Sequence, residues 1–477
     1  MKVPIVALFS TPNSYYCFDT NKNELFEITE RSFQYLRALL ERNDSPPSVP
    51  EEIQELRKAG YLAENTVLEE LRHPYTRHLK YFLDRKLEKI TLQLTQNCNF
   101  RCKYCIYSEE ANPHQRSHST KRMSWETAKK AVDFLRDHSV DNPKVNIGFY
   151  GGEPLLEFDL IKKIVSYSQA RFKGKELTYS ITSNGTLLTD EMILFFEAHN
   201  ISLMISLDGP KEINDLNRVF ADGSGTFDKV VDRVRRIREI APEYANKLQI
   251  SMVMDPQNDF DCINEICMND SELKRLSLQA SLVEREPSEL EEKEISEEYV
   301  WKFEYQRFLA ILAEYGRYPK ENLSPIASKS LMSSKKEYME IEHGRPLNTV
   351  DAASGPCIPG QLRLFVNVDE QLFPCERVSE KSPAMCIGTL DAGLDVKKAD
   401  KILNVCALTE AYCKRCWAFR HCTLCAKKAD DGTACLSAEA KLSCCNESRA
   451  NASSKFRQHL LQKEIPQYYA NQMRMQR

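Results

Sequence analysis

The stretch Ile90-Thr91-Leu92-Gln93-Leu94-Thr95-Gln96-Asn97-Cys98-Asn99-Phe100-Arg101-Cys102-Lys103-Tyr104-Cys105 runs from a strand-like apolar segment directly into three cysteines within eight residues. The cysteines sit where a strand-to-helix loop is expected, and their spacing is Cys-x3-Cys-x2-Cys. Three thiolates can hold three irons of a cubane cluster and leave the fourth iron for a non-protein ligand, whereas structural tetrahedral zinc takes four protein ligands. A catalytic zinc site with three protein ligands uses the same number of side chains and stays open at this point.

Outward from this loop, residues 87 to about 285 carry six strand-like runs: ITLQLT, KVNIGFYGG, LTYSITSNG, ISLMISLDG, LQISMVMD and LKRLSLQASLV. Amphipathic helical stretches separate them. That alternation predicts parallel β/α units, an α/β fold of the partial (β/α)6 TIM-barrel kind with its active site at the carboxyl ends of the strands. Before it, residues 1–86 predict strands at VPIVALF and Tyr15-Tyr16-Cys17-Phe18, joined by a hairpin-like turn at Asp19-Thr20-Asn21-Lys22-Asn23. Thr29 is placed to cap a helix bearing Phe33, Leu36, Leu39 and Leu40, and Pro50 opens a second. Residues 286–346 read as a helical connector that begins in the acidic run Glu284 to Glu298, a solvated face rather than a site. From residue 347 to 477 the chain is cysteine-rich and loop-like.

A chain of 477 residues divides into roughly three units. Hydrophobic content of 42% beside 28% charge is that of a globular protein. A net charge of −4 and a pI near 6.2 do not supply the positive field of a nucleic-acid partner. No run of about 18 uncharged apolar residues predicts a membrane span, and the start MKVPIVALFSTPNSYYCF is too short an apolar run for an export signal, so a cytoplasmic location is expected. Seventeen cysteines in such a setting point to metal rather than disulfides.

With Tyr104 inside it, the cysteine loop resembles the radical S-adenosylmethionine superfamily, whose signature is Cys-x3-Cys-x-aromatic-Cys. The resemblance implies that Cys98, Cys102 and Cys105 bind a [4Fe–4S] cluster whose free iron is chelated by S-adenosylmethionine. It also implies reductive cleavage of that cofactor to a 5′-deoxyadenosyl radical, which abstracts hydrogen from substrate. Gly151-Gly152-Glu153-Pro154 resembles the family's GGEP element, which meets the methionine amine. Ser183 and Asn184 end the third strand, Ser206 and Asp208 the fourth; both ends are similar to positions contacting the methionyl carboxylate and ribose. Arg218 resembles an arginine that pairs with that carboxylate, although an exposed arginine is commonly only a surface charge.

Near the C-terminus the chain reads Cys413-x2-Cys416-x5-Cys422-x2-Cys425, with Cys357 and Cys375 upstream and Cys444-Cys445 downstream. Two Cys-x2-Cys pairs are also a zinc-knuckle spacing. The arrangement resembles the SPASM extension of peptide-modifying radical enzymes, which binds two auxiliary [4Fe–4S] clusters, making three in all. The resemblance assigns Cys357, Cys375 and Cys425 to one cluster, completed by Cys386 or left open for a substrate thiolate. It assigns Cys413, Cys416, Cys422 and one of Cys444 or Cys445 to the other. The chain departs from the family in having two residues rather than three before Cys425, and Glu370 where a glycine is expected. Cys17, Cys262, Cys267, Cys406 and Cys435 lie outside both patterns and read as buried small hydrophobes.

The segment FDTNKNELFEITE with PEEIQELRKAGYL resembles the winged-helix-like leader-recognition element of peptide maturases, similar to the pyrroloquinoline-quinone peptide chaperone. Its physical logic is strand addition of an extended leader to an open sheet edge; an ordinary stabilising winged helix is the alternative. Together the resemblances imply a maturase of a ribosomally made, cysteine-rich precursor peptide, supplied with electrons by a low-potential donor such as flavodoxin or ferredoxin. Thioether formation from a cysteine sulfur to carbon is the favoured reaction. Carbon–carbon crosslinking, epimerisation and formylglycine formation are alternatives within the class, and an iron–sulfur electron carrier or peptide chaperone lies outside it. No catalytic base is assigned.

Overall fold

The computed structural model describes residues 3–41, 48–107, 118–270, 273, 276–283 and 296–475. Most of the acidic run, residues 284–295, lies outside them.

At the front, β1 (Val6–Ser10), β2 (Tyr15–Asp19) and β3 (Glu24–Ile28) form an antiparallel sheet in that order. The β2–β3 turn closes where Asp19 accepts from the Lys22 amide at 2.9 Å and Asn23 takes a left-handed φ of 53°. Thr29 caps the helix Glu30–Leu40 by accepting from the Ser32 amide, and the helix Glu51–Lys58 follows Pro50. Side chains alternate across a strand, so the sheet has two apolar faces. Val6, Cys17 and Ile28 pack under Phe33, Leu36, Leu39 and Ile53 of the two helices. Ala7, Phe9, Tyr16 and Phe18 pack instead on Tyr338 and Ile341 of the helix Pro325–Glu342 and on Phe456 and Leu460 of the last helix, Cys445–Met475. The front sheet is therefore clamped between its own helices and the far end of the chain.

After the short β4 (Glu70–Leu71) come β5 (Lys89–Thr95), β6 (Lys144–Gly151), β7 (Glu176–Ser183), β8 (Ile201–Ser206), β9 (Gln249–Met254) and β10 (Ser277–Leu282). All six pair in parallel, each with its sequence neighbour, which is the β/α alternation read from the sequence. Residues Ile90, Leu92, Leu94, Val145, Ile147, Ile181, Leu203 and Ile205 point to the helices and are almost fully buried. Their neighbours on the other face are polar, with Lys89 donating to Ser180, and Asn146 hydrogen-bonded to both Thr178 and Ser180.

The cysteine-rich end extends this sheet instead of standing apart from it. β11 (Val350–Asp351) pairs in parallel with β4, and β12 (Leu364–Val366) in parallel with β5. β13 (Gln371–Phe373), β14 (Gly388–Thr389) and β15 (Gly393–Leu394) continue antiparallel, giving a ten-stranded sheet. Glu370, at the expected glycine position, holds a left-handed φ of 63° in the β12–β13 turn. The conformation that favours glycine is kept, and the glutamate is anchored there by Lys130 at 3.0 Å and Thr127 at 3.1 Å.

Candidate functional site

The ends of β6, β7 and β8 converge on the first cysteine loop, which leaves the end of β5. The Gly152 amide donates to the Thr95 carbonyl at 2.8 Å and the Glu153 amide to the Asn97 carbonyl at 2.9 Å, locking the end of β6 against the entry to the loop. A Cβ at Gly151 would stand 2.3 Å from the Thr95 oxygen, and one at Gly152 2.2 Å from the Asn97 oxygen. The glycines thus serve the approach of one backbone to another. Pro154, itself buried, then opens a helical turn.

Glu153 is buried, its carboxylate accepting from the Leu155 amide at 3.0 Å, the Ser183 hydroxyl at 2.8 Å and the Asn184 amide at 2.8 Å. Burial nevertheless holds its pKa above the ordinary carboxylate value. Asn184 also donates to Asn99, and Asn99 to Thr186, which ties the end of β7 to the cysteine loop. On the other side, Asp208 at the end of β8 accepts from the Val253 amide and from the Tyr104 hydroxyl. Arg218 donates to the same hydroxyl at 2.8 Å. The loop backbone pairs with the segment after Arg218, Arg101 donating to the Val219 carbonyl and Ala221 to that of Asn99, with Phe100 edge-on to Phe220. Ser206 ends β8 half-buried, beside Ser251 of β9.

Burial pushes the Cys98 thiol up to about 12, the Glu153 charge adding to it. Burial also carries Cys102 to about 11 against the opposing pull of Arg218. Such thiols keep their protons until a metal takes the proton's place. Three sulfurs at this spacing fit a cubane cluster. The site also fits S-adenosylmethionine: Arg218 is buried, yet its Nε has no hydrogen-bond partner, leaving a donor in the arginine fork for a carboxylate.

At the C-terminal end, Cys413, Cys416, Cys422 and Cys445 line a cavity of about 260 Å³ with Cys406, Lys441 and Arg449. Cys445 rather than Cys444 faces it; Cys444 is buried, its sulfur beside the Ser443 hydroxyl. Four thiols around one cavity suit a [4Fe–4S] cluster. Cys375 and Cys425 lie close enough to feel each other's charge, while Cys357 is exposed. Cys357 follows Gly355, whose backbone presses on that of Leu424 so closely that a Cβ would stand 2.3 Å from its oxygen. The Cys386 thiol donates to the Gly388 carbonyl. All seventeen cysteines are thiols. Among the described residues no three His, Cys, Asp or Glu side chains converge on the position of a single metal ion. Of the cysteines expected to be buried hydrophobes, Cys17, Cys267 and Cys406 are buried. Cys262 and Cys435 are exposed instead, on the outer side of a helix and in a loop.

Comparison with known proteins agrees with this arrangement. Residues 92–266 match the Radical SAM superfamily, so the chain carries a radical SAM domain. The serine-type anaerobic sulfatase-maturating enzyme of Bacteroides thetaiotaomicron is 32% identical over 149 residues, 31% of this chain and 35% of that protein. The radical SAM cyclopropyl synthase TigE of Paramaledivibacter caminithermalis is 26% identical over 226 residues, 45% of this chain and 46% of its own. The chain spans less than half the length of the curated relatives it matches. The solved structure described as native anSMEcpe with bound AdoMet shares the fold at a TM-score of 0.54 and 20% identity, covering 79% of this chain and 98% of that one. Among the described residues no helix is long and apolar enough to cross a membrane.

Asn99, Phe100, Thr186 and Phe220 were not singled out from the sequence. Asn99 and Phe100 carry a signal in hindsight, since they fill the gap between Cys98 and Cys102, but Thr186 and Phe220 become partners only through the fold.

Proposed function

We propose that this chain is a radical S-adenosylmethionine enzyme that modifies a ribosomally made, cysteine-rich precursor peptide by forming a thioether. The observation that carries the reading is the loop of Cys98, Cys102 and Cys105 locked against the strand ends, with the unpartnered Arg218 Nε buried beside it. When bound, the cluster and cofactor supply a carbon radical that abstracts hydrogen. Arg218 receives the methionyl carboxylate, while Tyr104 and Asp208 fix the arginine's orientation. Gly151 to Pro154 with Ser183, Asn184 and Ser206 form the wall on which the rest of the cofactor lies. Two further [4Fe–4S] clusters occupy the C-terminal cysteines, and a low-potential flavodoxin or ferredoxin is the electron source. The leader adds to the outer edge of β3, which no other strand covers among the described residues.

In the net reaction the peptide loses one C–H and one S–H hydrogen as a C–S bond forms. The first ends in 5′-deoxyadenosine, the second leaves as a proton, and S-adenosylmethionine, the two-electron oxidant, becomes methionine and 5′-deoxyadenosine. The test is anaerobic incubation of the reconstituted enzyme with reductant, cofactor and a cysteine-rich precursor, followed by reduction, alkylation and fragmentation. A product lighter by two hydrogens with one cysteine resistant to alkylation supports the thioether; full alkylation of every cysteine in that product refutes it. The likeness to a sulfatase-maturating enzyme favours a second reading, formylglycine formation, and a sulfatase-derived peptide gaining an aldehyde in the same assay would establish it.

A further inference from the structure

Lys441 is 3% exposed, on the short helix Ala438–Ser443 that leads into Cys445. Its ammonium donates to the Thr409 hydroxyl at 2.5 Å and to the Cys413 sulfur at 3.5 Å. Because Thr409 accepts from lysine, its own hydrogen is free to point at Cys413, 3.2 Å away. Cys413 thus faces two donors. No Asp or Glu lines the cavity, and among the described residues no carboxylate pairs with Lys441. A buried ammonium without a counter-charge is strongly disfavoured. The missing negative charge has one evident source, the cysteine sulfurs themselves once deprotonated around iron. A [4Fe–4S] core with four thiolates carries net negative charge in both of its ordinary oxidation states, and hydrogen bonds to its sulfurs and nearby charges set its potential.

We propose that Lys441 is the built-in counter-ion of the C-terminal auxiliary cluster, a positioning residue that holds the cluster's reduction potential up through Cys413 and Thr409. The inference rests on reading this cavity as an iron–sulfur site. Removing a positive charge beside a group that takes up an electron disfavours its reduction, so the sign is fixed: without Lys441 the midpoint falls.

The experiment uses the full chain, reconstituted anaerobically, as wild type, Lys441→Met, Lys441→Arg and a Cys413, Cys416, Cys422 and Cys445→Ala variant. The last variant identifies the signal of this cluster by difference. Iron content and a redox titration followed by electron paramagnetic resonance are measured for each. The expected result is an iron content in Lys441→Met equal to wild type, with the midpoint of this one signal shifted to lower potential and returned toward wild type by Lys441→Arg. Iron loss in Lys441→Met that Lys441→Arg restores supports the same role; iron loss that Arg does not restore overturns it. Full iron with every midpoint unchanged overturns the counter-ion while leaving the cluster in place. An iron content that the four-cysteine variant does not lower overturns the cluster reading and the inference with it.

Discussion

The two cysteine sites balance their charge in opposite ways. Around Cys98, Cys102 and Cys105 the buried cation Arg218 has Asp208 within 4.0 Å and shares Tyr104 with it, and Glu153 lies buried close by with three donors. Around Cys413, Cys416, Cys422 and Cys445 the cations Lys441 and Arg449 line the cavity with no carboxylate among its walls. The first site surrounds its cation with carboxylates and has three sulfurs, one fewer than a cubane has irons. The second has four sulfurs and, in the cluster proposed for it, would take its negative charge from them. A site proposed to admit a charged ligand pairs its cation in advance, whereas a site with four sulfurs can leave that pairing to the cluster proposed for it.

The comparison breaks most visibly through cysteine variants. Replacing Cys98, Cys102 and Cys105 with Ala should abolish release of 5′-deoxyadenosine and remove about four of about twelve irons. The Cys413, Cys416, Cys422 and Cys445→Ala variant should lose a similar share of iron yet still cleave the cofactor, and Cys444→Ser should lose none. Chromatography of the nucleoside beside an iron assay decides, and iron loss in Cys444→Ser would return that cysteine to the ligand set.

A smaller effect is expected at Asp351, which is fully buried and clamped by Arg345 at 2.9 Å and Arg420 at 2.9 Å, on the chain segment leading to Cys422. Burial raises its carboxyl pKa, but the two guanidinium groups together with the Ala352 and Asn348 amides outweigh burial and leave it below the ordinary value. The folded state therefore binds a proton less readily than the unfolded one. The contribution is complete above the ordinary carboxylate range and is lost as pH falls from that range through the lower folded value. Asp351→Asn should cost about 3 to 5 kcal/mol at neutral pH, with less difference from wild type in acid, as read by denaturant titrations at several pH values. Equal loss at every pH would show that packing rather than charge holds this segment.

The smallest change is expected at Glu370→Gly. Relief of the left-handed backbone gains about 1 kcal/mol, and loss of the contacts to Lys130 and Thr127 removes a similar amount, so thermal unfolding should move little. A large loss would mean that the anchoring contacts, not the turn, fix the β12–β13 hairpin.

Much of the first site was legible because its parts are contiguous and follow strands long enough to show alternation: Cys98 to Cys105 after β5, Gly151 to Pro154 after β6, Ser183-Asn184 after β7. What those residues touch was less legible. Arg218 was expected to meet a cofactor carboxylate, and nothing local announces that Tyr104 and Asp208 hold it, since those partners meet only when the β/α units close up. The resemblance implies that the GGEP element meets the methionine amine, and nothing local announces that the nearest neighbours of its glycines are the carbonyls of Thr95 and Asn97. At the C-terminal end, β12 to β15 have only two or three residues each, too few for periodicity to register. Lys441 carries no mark at all in the sequence, because a lysine next to a Cys-Cys pair looks like any solvated charge until its burial is seen.

The clamp on the front sheet has an optical consequence. Trp417, which follows Cys416, meets Phe9, Phe18 and Phe456 edge-on at 6.1 to 6.5 Å, and its carbonyl accepts from Thr20 of the β2–β3 turn. One indole thus lies against the sheet proposed to take the leader and beside a sulfur proposed to hold iron. Of the three tryptophans in the chain, Trp125 and Trp301 lie elsewhere. A chain in which both are replaced by Phe would emit from Trp417 alone. Its fluorescence would be quenched by energy transfer as iron–sulfur absorption builds up, then shifted in wavelength as peptide docks, so a single fluorophore would follow metal loading and leader capture in the same cuvette.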